Sequence, residues 1–85
     1  FSYKIHSGLT FLIDLEEYSD VTIDLYNILG QRLGSIVKTS LPASQKRAVY
    51  WDGLKVSGKR VPSGIYFYRI QIGDYSAMGK MTILQ

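Results

Sequence analysis

Apolar and polar residues alternate in several short runs along the chain. The clearest run is Asp20–Tyr26, in which Val21, Ile23 and Leu25 occupy every second position. A period of two places alternate side chains on opposite faces of a β-strand, so this run predicts a strand with one buried face. Runs of strand character lie at Ser2–His6, Thr10–Glu16, Asp20–Tyr26, Gln31–Lys38, Lys46–Trp51, Ile65–Ile72 and Tyr75–Leu84.

The segments between these runs predict how the strands are connected. Asn27–Gly30 is typical of a four-residue hairpin loop, and Gly73–Asp74 suits a two-residue hairpin. Two longer connections remain, at Thr39–Gln45 and Asp52–Gly64. Long connections between strands favour a sandwich in which the chain crosses between two sheets, and not a simple meander.

The composition supports an all-β domain. Val, Ile, Thr, Phe, Tyr and Trp make up 29 of the 85 residues, whereas Ala and Glu make up only five. The first set favours strands and the second favours helices, so we expect no helix longer than a turn. The residues expected in the core are Leu12, Val21, Ile23, Leu25, Ile36, Val49, Trp51, Tyr66, Tyr68, Ile70 and Ile83.

The length fits a single domain over residues 1–85, because two domains would each fall near the size at which extra stabilisation is needed. Apolar runs reach only four residues, as in Ile65–Tyr68, and a membrane helix needs about 20. We therefore expect no membrane span. Since the chain starts with Phe1, we expect it to be a module of a larger protein.

Charge is unevenly distributed along the chain. Residues 1–24 carry one basic and five acidic residues, and residues 25–85 carry nine basic and two acidic residues, for a net charge of +3. This split fits two solvated surfaces of opposite sign. It also leaves open a basic surface for an acidic partner.

The residue inventory argues against an enzyme. The chain has no cysteine, and its one histidine, His6, lies in the first predicted strand. A nucleophile therefore has no positioned base, and no Cys/His metal cage can form. Three acids, Asp14, Glu16 and Asp24, fall at polar positions of strands, where side chains face water. We expect no catalytic residues and no metal or cofactor.

Three binding functions are also disfavoured. The loop Asp52–Gly58 has a basic and a hydroxyl side chain where a Ca²⁺ loop needs acids, so Asp52 is interpreted as a turn residue. Adjacent aromatics in Tyr66–Tyr68 would point to opposite faces, which argues against base stacking and a nucleic-acid partner. A sugar-binding aromatic surface remains an alternative, with candidates Tyr3, Tyr18, Tyr26, Tyr50 and Tyr75.

Several motifs occur in order between Val21 and the last residue, most of them from Trp51 onward. They are Val21–Arg32, Trp51–Gly53, Ser57–Gly58, Val61–Ile70, Gly73–Ser76 and Gly79–Gln85. Over roughly residues 9–85 this order resembles the type A C-terminal sorting domain of the type IX (Por) secretion system of Bacteroidetes-like bacteria. It is also similar to the related Ig-like domain of flagellar hook-capping proteins.

The resemblance implies an Ig-like or fibronectin III-like antiparallel sandwich of about seven strands. It implies a sorting module attached behind upstream cargo domains, which directs export through the periplasm to the cell surface or medium. The implied partners are an outer-membrane translocon, which reads the module, and a sortase-like peptidase, which removes it. The implied recognition residues are Gly64, Lys80, Met81, Thr82, Ile83, Leu84 and Gln85, and the implied structural residues are Trp51, Asp52, Gly58 and Tyr66.

The main alternative is a structural or accessory Ig-like module of a secreted or surface protein, acting as a spacer, a carbohydrate-binding domain or a hook-cap-like domain. Under either interpretation, Gly64-x-Tyr66 after a long loop predicts a tyrosine corner. In this arrangement the ring is buried and the hydroxyl bonds back to the loop backbone.

Overall fold

A computed structural model describes residues 2–6, 10–51, 55–56 and 58–84, and the side chains of residues 10–45, 47–51, 56 and 58–84. Within these residues every regular element is a β-strand, which confirms the predicted all-β class. The strands are β1 (Ser2–His6), β2 (Thr10–Leu15), β3 (Ser19–Tyr26), β4 (Arg32–Leu41), β5 (Ser44–Tyr50), β6 (Lys55–Val56), β7 (Lys59–Arg60), β8 (Gly64–Ile72) and β9 (Tyr75–Ile83).

The seven longer strands form two antiparallel sheets. One sheet has the order β1-β2-β5 and the other has the order β4-β3-β8-β9, while β6 and β7 form a separate short hairpin. The chain crosses between the sheets after β2, after β4 and after β5. This arrangement is that of an Ig-like sandwich, so the predicted fold is confirmed.

The core lies between the two sheets. Phe11 of β2 packs edge-on against Tyr68 of β8, with the ring centroids 5.7 Å apart and the ring planes at 72°. This T-shaped contact joins the sheets through two large aromatic side chains. The buried apolar residues are Phe11, Ile13, Leu15, Val21, Ile23, Leu25, Val37, Leu41, Trp51, Val56, Val61, Tyr66, Tyr68, Ile70, Ile72, Met81 and Ile83.

On β2 the core prediction named Leu12, but the opposite face of the strand is the buried one. Phe11 and Ile13 are fully buried, whereas Leu12 is only half-buried and points away from them. Odd positions of this strand are apolar throughout, and Leu12 is the single apolar residue among the even positions. The three apolar residues at the odd positions therefore decide which face of β2 is buried, and a single leucine on the other face does not reverse it.

Strand β4 departs from a period of two because of two irregularities in its pairing with β3. Ile23 pairs with Val37 and Asp24 pairs with Ser35, so Ile36 has no partner in the register. A β-bulge of this kind shifts which side chains face inward. Val37 is consequently buried. Ile36, which was expected in the core, is only partly buried and packs against the edge of the core. Val49, on the edge strand β5, is likewise partly buried.

One of the two predicted long connections differs from expectation. The predicted connection Thr39–Gln45 is short, because β4 continues to Leu41 and β5 begins at Ser44. Only Pro42 and Ala43 lie between these strands, and they carry the chain from one sheet to the other. The connection Asp52–Gly64 does remain long, and the short β6–β7 hairpin lies within it.

Candidate functional site

Four of the predicted recognition residues, Lys80, Met81, Thr82 and Ile83, lie on β9, at an edge of the four-stranded sheet. Leu84 directly follows β9, and Gly64 is the first residue of β8. β9 pairs with β8 along its whole length, from Tyr75 opposite Ile72 to Ile83 opposite Gly64. On its other side no further strand lies next to it among the described residues. One row of its backbone N–H and C=O groups is therefore open to a partner.

The two faces of β9 have different roles. Met81 and Ile83 are buried in the sandwich core. Lys80, Thr82 and Leu84 are exposed and alternate with them, so they point outward. The structure thus divides the predicted set into side chains that hold the strand in place and side chains that a partner can contact. Gln85 lies outside the described residues.

A glycine in β9 leaves room for an aromatic ring. Gly79 pairs with Tyr68, and a Cβ atom built on Gly79 would lie 2.7 Å from Cε2 of that ring and closer still to its hydroxyl end. Non-bonded contacts of a Cβ atom are essentially never this short, so the ring occupies the space of the missing side chain. Sequence reasoning missed this role, although the glycine was part of the quoted terminal motif. A buried tyrosine opposite a strand glycine is the signal that would have indicated it.

The start of β8 is fixed by a hydrogen bond to the preceding loop. The Tyr66 ring is buried, and its hydroxyl donates to the backbone carbonyl of Pro62 at 2.6 Å. This is the bond that the predicted tyrosine corner requires. Gly64 pairs with Ile83, and a Cβ atom on Gly64 would only touch Tyr66 at 3.9 Å. Space beside Tyr66 is therefore not what favours glycine at this position.

Two of the remaining predicted structural residues, Trp51 and Gly58, are among those that the structure describes. Trp51 is buried in the core, as expected. Gly58 lies in the turn between β6 and β7 with a φ of 80°. Asp52, interpreted from the sequence as a turn residue, lies outside the described residues, as does most of the loop compared with a Ca²⁺ site.

The turn between β3 and β4 is unusually well defined by hydrogen bonds. The Asn27 side-chain oxygen accepts from the backbone N–H of Leu29 at 2.9 Å and of Gln31 at 3.0 Å, and its amide donates to the Gln31 side chain at 2.8 Å. Backbone bonds add to these, and Gly30 takes the φ of 82° that the turn requires. The sequence predicted the loop but not the role of Asn27, whose tendency to bond backbone groups two residues on was an available signal.

Next to this turn, a small polar network lies on the outer face of the sheet. Arg32 donates to Asp24 at 3.3 Å and to Ser35 at 3.0 Å, and Ser35 donates to Asp24 at 2.6 Å. Asp24, weighed from the sequence as a possible catalytic acid, is thus bonded to a cation and a hydroxyl. Asp14 lies on the outer face of the other sheet, so the two acids do not face each other.

The opposite end of the four-stranded sheet is acidic. This end, here called the Asp74 end, is formed by residues 15–20 and 71–75. It contains an open cleft of about 530 Å³ lined by Leu15, Glu16, Glu17, Ser19, Ile72, Gly73, Asp74 and Tyr75. Among the described residues, no group of three or more acidic or histidine side chains is placed to hold a metal ion.

The aromatic residues do not form a single platform. Tyr50 is on β5 in one sheet, whereas Tyr26 and Tyr75 are on strands of the other, and Tyr18 is in the turn before β3. Tyr66 and Tyr68 are buried, and Phe67 between them points to the opposite face. Among the side chains that the structure describes, the candidate rings are therefore spread over both sheets and form no single row on which bases or sugars would stack. The Tyr3 side chain lies outside the described ones.

Comparison with known proteins gives one family. The family model described as a secretion system C-terminal sorting domain matches residues 7–84, which include the β3–β4 turn and all of β9. A search of curated proteins found no match, and neither did a search of solved structures. In the part of the chain that the structure describes, no helix is long and apolar enough to cross a membrane.

Proposed function

The chain belongs to the family of secretion system C-terminal sorting domains, and on this basis we propose that an outer-membrane translocon reads it through the end of β9. The domain is a sorting signal for type IX secretion, and proteins that carry such a signal are exported to the cell surface or the extracellular space.

The observation that supports this proposal is the position of β9 at the sheet edge. An exposed edge strand can pair with a strand of another protein through main-chain hydrogen bonds, and alternate side chains then give specificity. A strand in the middle of the sheet, such as β8, has both edges paired and cannot be extended in this way. The edge position thus makes β9 accessible without unfolding the domain.

The outward and inward side chains at the end of β9 have different proposed roles. Lys80, Thr82 and Leu84 point outward and are assigned to contact the translocon. Met81 and Ile83 are buried and are assigned to anchor the strand in the core. Gly64 pairs with Ile83, so it positions the last part of β9 and is not itself assigned a contact.

The proposal includes the events on either side of recognition. The cargo domains lie upstream of this module in the same protein, and a sortase-like peptidase separates the two after export. The family resemblance supports this part of the proposal. The module itself has no catalytic role, consistent with its single histidine and its lack of cysteine.

A reporter fusion tests the proposal. A fluorescent protein with an export signal at its front and residues 1–85 at its back is expressed in a host with a type IX system. We expect the reporter on the surface or in the medium, and we expect deletion of residues 80–85 to leave it in the periplasm. Fluorescence of the retained reporter would show that the cargo is still folded.

The control is a known sorting domain fused to the same reporter. If the control is exported and the intact fusion remains in the periplasm, the domain is a spacer and the proposal is wrong. A second control replaces Thr82 with Ser, which keeps a hydroxyl at an exposed position of β9. This variant should be exported like the intact fusion.

A further inference from the structure

The tip of the β3–β4 turn exposes two aliphatic side chains. Ile28 is 68% exposed and Leu29 is 80% exposed. Because folding buries little of their apolar surface, these side chains contribute little to stability. The turn that carries them is nevertheless fixed by the Asn27 hydrogen bonds described above. A turn that is already ordered loses little conformational freedom on binding, so it can present these side chains to a partner at low entropic cost.

The strand register places this turn at the same end of the sheet as the end of β9. Tyr26, the last residue of β3, pairs with Phe67, and Phe67 pairs with Lys80. The turn follows Tyr26 directly, and Leu84 follows the last pair of β9. Neighbouring strands are about 4.8 Å apart, so β3 and β9 are separated by roughly 10 Å at this level.

The outward side chains between these two segments form a continuous row across four strands. Arg32, Tyr26, Phe67 and Lys80 are successive cross-strand partners, on β4, β3, β8 and β9. Ile65 is exposed and lies on the same face of β8 as Phe67, two residues before it and so nearer to the turn. We call this region, formed by residues 26–32, 64–67 and 80–84, the Leu29 end.

The Leu29 end is basic as well as apolar. Arg32 and Lys80 lie at the two sides of the row, and the exposed Lys59 and Arg60 lie on β7, which leads into the start of β8. Arg32 is ion-paired with Asp24 on the same outer face, so the basic character rests on Lys80, Lys59 and Arg60. A partner surface with carboxylates around an apolar centre would therefore be complementary.

We propose that the Leu29 end is one composite docking surface, on which Ile28 and Leu29 of the turn, Lys80 and Thr82 of β9, and Leu84 just after β9 contact the same partner protein. This inference rests on the proposed function and adds a second recognition element about 50 residues upstream of the first. The partner site is an apolar groove with carboxylates at its rim. The open edge of β9 favours a protein over a lipid surface, because only another polypeptide can pair with a row of backbone groups.

Export of the same reporter fusion tests the inference. The test variant is Ile28→Ser with Leu29→Ser, which keeps Asn27 and Gly30 and therefore the turn. We expect export to fall by about tenfold or more, because burying one aliphatic side chain contributes about a tenfold change in affinity. The denaturation midpoint of the purified domain should be unchanged, since both side chains are exposed.

The matched control removes two other exposed side chains. Tyr18→Ser with Tyr50→Ser changes residues of similar exposure that lie away from the Leu29 end. This variant should be exported as well as the unchanged fusion. An equal loss of export in both variants would mean that exposed side chains act non-specifically, which would overturn the inference.

Photo-cross-linking identifies the contacts directly. A photoreactive amino acid is placed at position 29, 84 or 18 of the exported fusion. We expect positions 29 and 84 to cross-link to the same outer-membrane protein and position 18 to give no such product. Different partners for positions 29 and 84, or cross-linking of position 29 to lipid alone, would contradict a composite protein-binding surface.

The outcomes separate this inference from the proposed function. If the intact fusion is exported, deletion of residues 80–85 blocks export, and the Ile28/Leu29 variant is exported normally, the inference is wrong and the proposed function stands. If the intact fusion is not exported while the known sorting domain is, both are wrong. Binding of the purified domain to anionic vesicles that depends on Leu29, with normal export of the variant, would assign the turn to membrane contact instead.

Discussion

The two ends of the four-stranded sheet expose different chemistry, although the same strands form both. At the Leu29 end the exposed side chains are aliphatic and the charged ones are basic. At the Asp74 end the exposed rings of Tyr18 and Tyr75 lie near Glu16, Glu17 and Asp74. A partner with an acidic, apolar groove therefore distinguishes one end from the other, and it fixes the direction in which the domain docks.

The two ends also differ in the hydrogen bonds that hold them in place. The turn at the Leu29 end is held by its own side chain, Asn27, whereas the Asp74 end is joined to its neighbours by a backbone bond from Gly73 to Asp20 and by a bond from Ser40 to Asp20. A turn ordered by local bonds is independent of the rest of the sheet. Substitutions can therefore be chosen that affect one end, both ends or neither.

The substitution Gly79→Ala should have the largest effect on stability, because Gly79 lies midway between the two ends and leaves the space that the buried Tyr68 ring occupies. The added Cβ atom would overlap this ring, which is buried against Phe11 and has little room to move. We expect the free energy of unfolding to fall by about 1–3 kcal/mol, as for other overpacked sites. Chemical denaturation of the purified domain measures this change.

The matched control for Gly79→Ala is Ser76→Ala, at an exposed position of the same strand. It should change the free energy of unfolding by less than about 0.5 kcal/mol. Equal stability of the Gly79→Ala variant and the unchanged domain would show that the Tyr68 ring does not occupy this space.

The substitution Tyr66→Phe compares the two ends directly. It removes the hydroxyl that donates to the Pro62 carbonyl beneath the Leu29 end, and we expect a loss of about 1 kcal/mol or more. Tyr18→Phe, at the Asp74 end, removes a hydroxyl from a side chain that is largely exposed and should leave the denaturation midpoint unchanged. Similar midpoints for the two variants would argue against a stabilising tyrosine corner.

The substitution Asn27→Ala should loosen only the Leu29 end. It removes the acceptor for the N–H groups of Leu29 and Gln31, and since the turn is exposed, water replaces part of what is lost. We expect a loss of about 0.5–1 kcal/mol and faster amide hydrogen exchange at these two residues. Asn27→Asp keeps the acceptor oxygen and should retain slow exchange there, so fast exchange in both variants would contradict the assigned role.

The ion pair between Arg32 and Asp24 should contribute least. The Arg32 side chain is 55% exposed, and surface ion pairs of this kind typically contribute about 0.2–1 kcal/mol. A double-mutant cycle with Arg32→Gln and Asp24→Asn should give a coupling energy at the lower end of this range. The coupling should also weaken with added salt, and a salt-independent coupling above about 1 kcal/mol would contradict this.

Much of the fold could be predicted from local pattern. Strands such as β3 were placed within a residue or two because their alternation is regular and their turns contain specific residues. The faces of β2 and β4 were harder. In β2 one leucine interrupts an otherwise clear alternation, and in β4 the bulge at Ile36 depends on pairing with β3, which the sequence of β4 alone does not contain.

The candidate site was predictable only in part. The terminal residues Lys80–Leu84 were named from the family resemblance, and the tyrosine corner from Gly64-x-Tyr66. Which of these side chains point outward follows from strand alternation once Met81 and Ile83 are seen to pack in the core. That the backbone of β9 is open follows from its edge position. The proximity of the β3–β4 turn to the end of β9 depends on β8 lying between β3 and β9, and this pairing order is a property of the whole sheet.

The position of β8 between β3 and β9 also has a consequence for folding. Pairs such as Val21 with Ile72 join residues about 50 positions apart, whereas β8 and β9 form a local hairpin. Long-range pairs of this kind form slowly, commonly over milliseconds to seconds. The turn and the end of β9 therefore share one end of the sheet only after the slow pairing of β3 with β8. A partner that contacts both segments would engage the domain after it has folded, and it would leave newly made chains unbound until then.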